Sequence, residues 1–125
     1  MDDVVEQDAG RRMRVLGIAG SPRARGNSAA LLDSALAGAR ERGHRTDRLW
    51  LRKLDVLPCT ACDGCRRGPI CIVHDDMDRV YAALHHADVV VVATPIYFYN
   101  MSAWLKAVVD RLYGLIGTEP RPRLA

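Results

Sequence analysis

Val89-Val90-Val91-Val92-Ala93 is apolar at every position. A strand with one face in water alternates polar and apolar residues. An unbroken apolar run reads instead as a strand covered on both faces, inside a parallel sheet. Working outward, Val15-Leu16-Gly17-Ile18-Ala19 is a second short apolar run and a second buried strand. Between them, Thr46 to Leu51 alternates as a half-exposed edge strand would. Leu32, Ala35, Leu36 and Ala39 recur at helical spacing, with Asn27 or Ser28 able to cap the helix and Gly43 placed to stop it. Asp75 opens a second helix carrying Met77, Val80, Tyr81 and Leu84, and a third carries Leu105, Val108, Val109 and Leu112 on one face. The order strand, helix, strand, loop, helix, strand, helix predicts an α/β protein with an open parallel sheet and helices on both faces.

The chain has 125 residues and is 49% apolar, enough for one packed domain. Its net charge of +3 is mild and its basic residues are scattered, which argues against a nucleic-acid partner. No run is long enough to span a membrane. The opening Met1-Asp2-Asp3 lacks the basic-then-apolar order of a secretory signal, so a cytoplasmic location with reduced thiols is expected. Residues 1–13 read as a disordered leader, 14–116 as the domain, with a cysteine loop at 58–74, and 117–125 as an unstructured tail.

Two loops carry the chemistry. Gly20-Ser21-Pro22-Arg23-Ala24-Arg25-Gly26-Asn27-Ser28 joins a strand to a helix, whose free N–H groups and partial positive charge suit a phosphate. It has neither the Walker A nor the GxGxxG spacing, and it could also be a plain turn. Thr94-Pro95-Ile96-Tyr97-Phe98-Tyr99-Asn100 follows the four-valine strand. Its three consecutive aromatics could wall a flat ring or pack under a helix. Open parallel sheets bind ligands at the carboxyl ends of their strands, where the strand order reverses, so the two loops should meet there.

Gly20-Ser21-Pro22-Arg23 with Gly26-Asn27-Ser28, then Thr94-Pro95-Ile96-Tyr97, then Ser102-Ala103-Trp104-Leu105-Lys106 and Asp110-Arg111, resembles the NADPH-dependent FMN reductase family. The resemblance spans about residues 14–116 and implies a flavodoxin-like sheet of order 2-1-3, with the family's later strands missing. It assigns Ser21, Arg23, Asn27 and Ser28 to the FMN phosphate, and Pro95, Ile96, Tyr97 and Phe98 to the flavin ring. With the later strands missing, the four-valine strand keeps a bare outer edge. Truncation, completion by another chain, or pairing with the last residues could each account for it; truncation is the favoured reading. The bare edge and the family's habit also point to a homo-oligomer.

Cys59, Cys62, Cys65 and Cys71 are the chain's four cysteines. Their compact spacing suits a [4Fe–4S] cluster or zinc, and redox thiol pairs remain an alternative. Followed by Asp75-Asp76-Met77, the spacing resembles the iron–sulfur flavoprotein branch of the same family, which favours the cluster. Arg66 and Arg67 could offset its charge. His44, His85 and His86 lack the spacing of a metal or catalytic set; His74, close to Cys71, could be a ligand but reads first as a surface loop histidine; and Asp75 and Asp76 read as helix-terminal acids. Asp110-Arg111 reads as an ion pair or a partner contact, and Trp104 as core or interface.

The implied function is an FMN-dependent oxidoreductase or electron-transfer flavoprotein, using NAD(P)H or a reduced ferredoxin as electron donor. The alternatives are a non-enzymatic FMN electron carrier, or an inactive truncated fragment whose cysteines bind zinc or act as redox thiols. A flavin carries the redox chemistry itself, so no general acid or base is assigned.

Overall fold

A computed structural model describes residues 10–68 and 70–116. The chain runs β1 (Arg14–Ala19), α1 (Asn27–Glu41), β2 (Arg45–Trp50), short helical turns at Leu51–Lys53 and Gly64–Arg66, α2 (Met77–His86), β3 (Val89–Ala93) and α3 (Ala103–Arg111), with a last helical turn at Leu112–Leu115. Residues 1–9 of the expected leader and the expected tail 117–125 lie outside the described residues. Within the leader's remainder, Arg11 pairs with Asp88 at 3.0 Å, and the Met13 carbonyl accepts from the Arg45 amide at 2.9 Å.

The three strands are parallel and lie in the order β2-β1-β3. This is the flavodoxin-like arrangement expected from the sequence. β1 is central because it is apolar to both faces. Val15 and Ala19 pack with Leu32 and Leu36 of α1 on one side, while Leu16 and Ile18 pack with α2 and α3 on the other. Met77, Val80, Tyr81 and Leu84 are all buried there, as their spacing predicts. β3 shares its faces the same way, Val90 toward α2 and α3, Val89 and Val91 toward α1.

The outer edge of β3 is bare among the described residues, as the sequence reading expects, and two other details differ from that reading. β3 has β1 on one side and no described strand on the other, so it sits at an edge with Val92 48% exposed. No described strand pairs with its outer N–H and C=O groups. The residue capping α1 is Gly26, in extended conformation, and no side chain caps this helix; Asn27 and Ser28 start one position too late. α2 begins at Met77, two residues after Asp75, whose carboxylate accepts from the Met77 amide at 2.9 Å.

Gly17 lies under α1. A Cβ there would come within 2.7 Å of Leu36 Cδ1 and 3.2 Å of Leu32 Cδ1. Both are side-chain ends, so alanine can be absorbed by rotation, whereas valine must push the helix outward. Gly17→Val is expected to cost about 1–3 kcal/mol, read as a lower urea midpoint.

Candidate functional site

The loops after β1 and β3 meet at the carboxyl end of the sheet. The Gly20 amide donates to the Ala93 carbonyl at 2.8 Å, and the Gly20 carbonyl accepts from Ser102 Oγ at 2.6 Å. Gly20 leaves no room to spare: a Cβ there would sit 3.2 Å from the Thr94 side chain. Ser102, fully buried, completes the junction. Its amide donates to Thr94 Oγ1 at 3.1 Å, and its oxygen accepts from the Leu105 amide at 3.3 Å, capping α3. One serine thus ties the first loop, the second loop and a helix. Trp50, at the end of β2, braces the first loop from the other side by donating Nε1–H to the Ser21 carbonyl at 2.8 Å.

Of the four residues expected at the phosphate, Ser21 is buried and its Oγ accepts from the Arg23 amide at 3.1 Å, so the hydroxyl hydrogen stays free to donate. Arg23 and Asn27 are exposed and Ser28 is half-buried. The uncapped start of α1 lies among them, and its first-turn amides have no intrahelical acceptor. Of the four expected at the ring, Pro95 is half-buried, while Ile96, Tyr97 and Phe98 are exposed.

Tyr97 and Asn100 close a tight hairpin, amide to carbonyl in both directions at 2.7 and 3.1 Å. The residues at its tip, Phe98 and Tyr99, have φ of 44° and 65° and are 95% and 94% exposed. Side chains other than glycine rarely adopt this left-handed region, and such strain clusters at ligand clamps. The aromatics do not pack under a helix. They stand in solvent, edge to face at 5.6 Å, on the same end of the sheet as the uncapped helix. A basic depression of about 540 Å³, lined by residues including Arg11, Arg14, Arg45 and His86, lies at the opposite, amino-terminal end of the strands. Ligand sites of parallel sheets do not form at that end.

The cysteine loop is anchored at its base. Asp75 Oδ2 accepts from the Leu57 amide and Asp76 Oδ2 from the Asp55 amide, both at 2.8 Å. Arg111, only 3% exposed, reaches in from the end of α3. Its Nη1 donates to Asp75 Oδ2 at 2.5 Å and to the Leu57 carbonyl at 3.3 Å. Its Nη2 donates to the Val73 carbonyl at 2.8 Å and lies 3.6 Å from Cys71 Sγ. Asp110, beside it in sequence, pairs on the surface with Lys106. Sequence reasoning left Arg111 undecided and missed its partner. The available signal was its spacing, three residues beyond Val108 on the apolar stripe, where a cation needs a buried acceptor. Arg66 instead reaches the Tyr113 hydroxyl and Asp63, and His74 pairs with Asp78 on the surface.

The electrostatics follow the contacts. Burial opposes ionisation of Asp75, but the Arg111 guanidinium and the Leu57 and Met77 amides outweigh it and hold its pKa below the ordinary carboxylate value. Burial likewise opposes the charge on Arg111, and Asp75 with Cys71 outweighs it. Burial, helped by Cys71, pushes the Tyr81 hydroxyl up to about 12, so it remains a donor to the Arg111 carbonyl at 2.6 Å.

The donor set of the cysteine loop fits a sulfur-ligated centre. All four thiols are free, Cys59 and Cys62 are exposed, and Cys65 and Cys71 are half-buried. Ala61 and Asp63, between Cys59 and Cys65, adopt left-handed φ of 56° and 54°, and the Ala61 amide donates to Cys59 Sγ at 3.4 Å. No three His, Cys, Asp or Glu side chains converge on one point among the described residues, so ligation requires the loop to draw together. The fit is therefore one of donor chemistry. For FMN, the first loop combines an open helix start, a free hydroxyl hydrogen and Arg23, the donor set a phosphate takes.

The sequence pattern of NADPH-dependent FMN reductases matches residues 13–122. An iron–sulfur flavoprotein of Methanosarcina thermophila is 42% identical over 99 residues, 79% of this chain and 52% of that one. Another, from Methanocaldococcus jannaschii, is 36% identical over 99 residues, 79% of this chain and 51% of that protein. The chain spans about half the length of these curated relatives. Among solved structures, an NAD(P)H:quinone oxidoreductase from Methanothermobacter marburgensis superimposes with a TM-score of 0.75 at 18% identity, covering 91% of this chain and 61% of that one, a likeness of fold. A flavone reductase gives 0.65 at 26% identity, with 89% and 39% covered. The chain belongs to the NADPH-dependent FMN reductase family, and by sequence it sits with members named iron–sulfur flavoproteins.

Proposed function

We propose that the chain binds FMN between the loops after β1 and β3 and acts in an FMN-dependent oxidoreductase, drawing electrons from NAD(P)H or a reduced ferredoxin. The observation that carries this reading is the junction at Gly20 and Ser102. It brings an uncapped helix start and an outward-facing aromatic hairpin to the carboxyl end of one parallel sheet. Ser21, Arg23, Asn27 and Ser28 would bind the phosphate; Pro95, Ile96, Tyr97 and Phe98 would flank the ring and shield it from water. Bound FMN supplies the two-electron and one-electron chemistry, and the protein supplies position and electrostatics.

In this reading Cys59, Cys62, Cys65 and Cys71 hold a [4Fe–4S] cluster as a second redox centre, in a reducing compartment such as the cytoplasm. The chain works in this reading as a homo-oligomer. No helix among the described residues is long and apolar enough to cross a membrane.

The test is a titration of the purified chain with FMN and with riboflavin. FMN is expected to bind, with riboflavin weaker by roughly tenfold or more, because it cannot use the charge-assisted bonds of the first loop. Arg23→Ala should narrow that gap without moving the urea midpoint, since Arg23 is an exposed loop side chain. Anaerobic addition of NADPH should then bleach the bound flavin. Equal affinity for FMN and riboflavin would remove the phosphate assignment, and a chain that binds neither would remove the function.

A further inference from the structure

We propose that Arg111 is the positioning residue of the cysteine loop, holding both of its ends on α3 and setting the polarity around Cys71; this rests on reading that loop as a sulfur-ligated redox centre. Leu57 and Val73 stand on either side of the four cysteines. The two terminal nitrogens of Arg111 bond their carbonyls, so one planar fork closes the base of the loop. Asp75 accepts from the same fork and from the Leu57 amide, which fixes the fork's plane.

An ordinary buried ion pair needs no more than that. Arg111 has two further features. Its Nη2 stands 3.6 Å from Cys71 Sγ, and its Nε is buried with no acceptor among the described residues. Buried donors are nearly always satisfied, and exceptions mark places where another group supplies the acceptor. A sulfur centre held by Cys71 brings acceptors to the side of the guanidinium that already faces sulfur. Positive charge and N–H groups near thiolate ligands raise the reduction potential of such centres. The other end of α3 is Ser102, tied to Gly20 and Thr94. A single helix therefore carries the anchor of the cysteine loop at one end and the junction of the flavin loops at the other.

The test uses the full chain and its Arg111→Met, Arg111→Lys and Asp75→Asn variants. Each is reconstituted anaerobically with ferrous iron and sulfide, and amide hydrogen exchange between Leu57 and Val73 is followed before reconstitution. Arg111→Met is expected to bind iron about tenfold more weakly. Whatever loads should have a more negative midpoint potential than in the parent chain. Arg111→Lys keeps the charge and loses the fork. It should show the faster exchange of the methionine variant with a potential near the parent's, a split that loss of structure alone does not produce. If Arg111→Met does not fold, Arg111→Lys and Asp75→Asn carry the comparison through exchange and iron affinity. Parent-like iron affinity and potential in both Arg111 variants would overturn the proposal. A parent chain that takes up no iron and sulfide defeats the reading of the loop as a cluster site. The exchange data then decide the anchor alone, and unchanged exchange in Arg111→Lys overturns it.

Discussion

Asp75→Ala is expected to lower the stability of the domain by about 3–5 kcal/mol, the usual consequence of leaving one charge of a buried pair alone. The Arg111 side chain is 2% exposed and that of Asp75 10%, so water cannot replace the lost carboxylate. The substitution also strips an acceptor from the Leu57 and Met77 amides, loosening the base of the cysteine loop and the first turn of α2 together. Acid should mimic it. The folded state holds the Asp75 pKa below the ordinary value of about 3.9, so the contribution is complete above that value. It is lost as pH falls through the lowered pKa, because protonation then removes Arg111's partner. Urea midpoints measured from neutral pH downward should fall in acid for the parent chain, with a flatter slope for Asp75→Ala. Equal neutral midpoints for the two proteins would show that the pair does not hold the fold.

Ser102→Ala should strike the other end of α3. The hydroxyl donates to the Gly20 carbonyl and accepts from the Leu105 amide in a fully buried position. Its loss removes a helix cap, about 1 kcal/mol, and leaves a buried carbonyl unsatisfied, about 1–3 kcal/mol. The larger effect is on binding. Without the tie between Gly20 and α3, the first loop is held at this junction by the backbone bond between Gly20 and Ala93 alone, and FMN affinity should fall by roughly tenfold, at about 1.4 kcal/mol per tenfold. A fluorescence titration with FMN, run beside a urea melt, separates the two losses. Unchanged affinity with reduced stability would mean that the junction supports the fold and has no part in the site.

The parallel sheet and the helix faces were legible in the chain, because local patterns encode burial, whereas the 2-1-3 order followed only from the family resemblance. Val89 to Ala93 cannot alternate with water, and Met77, Val80, Tyr81 and Leu84 can share only one side of a helix. The two loops were legible for the same reason, through strand-to-helix junctions and three aromatics out of place. The caps were less so. Asn27 and Ser28 look alike as capping residues in sequence, yet the structure leaves α1 without a side-chain cap and gives a serine cap to α3.

The sequence by itself determined which segments are strands, which faces are apolar, and that thiols, a Ser/Asn/Arg-rich turn and three aromatics sit on loops. Only the tertiary structure decided that Arg111 meets Asp75, 36 residues away, and that Ser102 meets Gly20, 82 away. Periodicity reports whether a side chain leaves water. It carries no information about which distant polar group will be waiting, because that choice is made when helices and strands pack and every buried donor competes for the acceptors within reach.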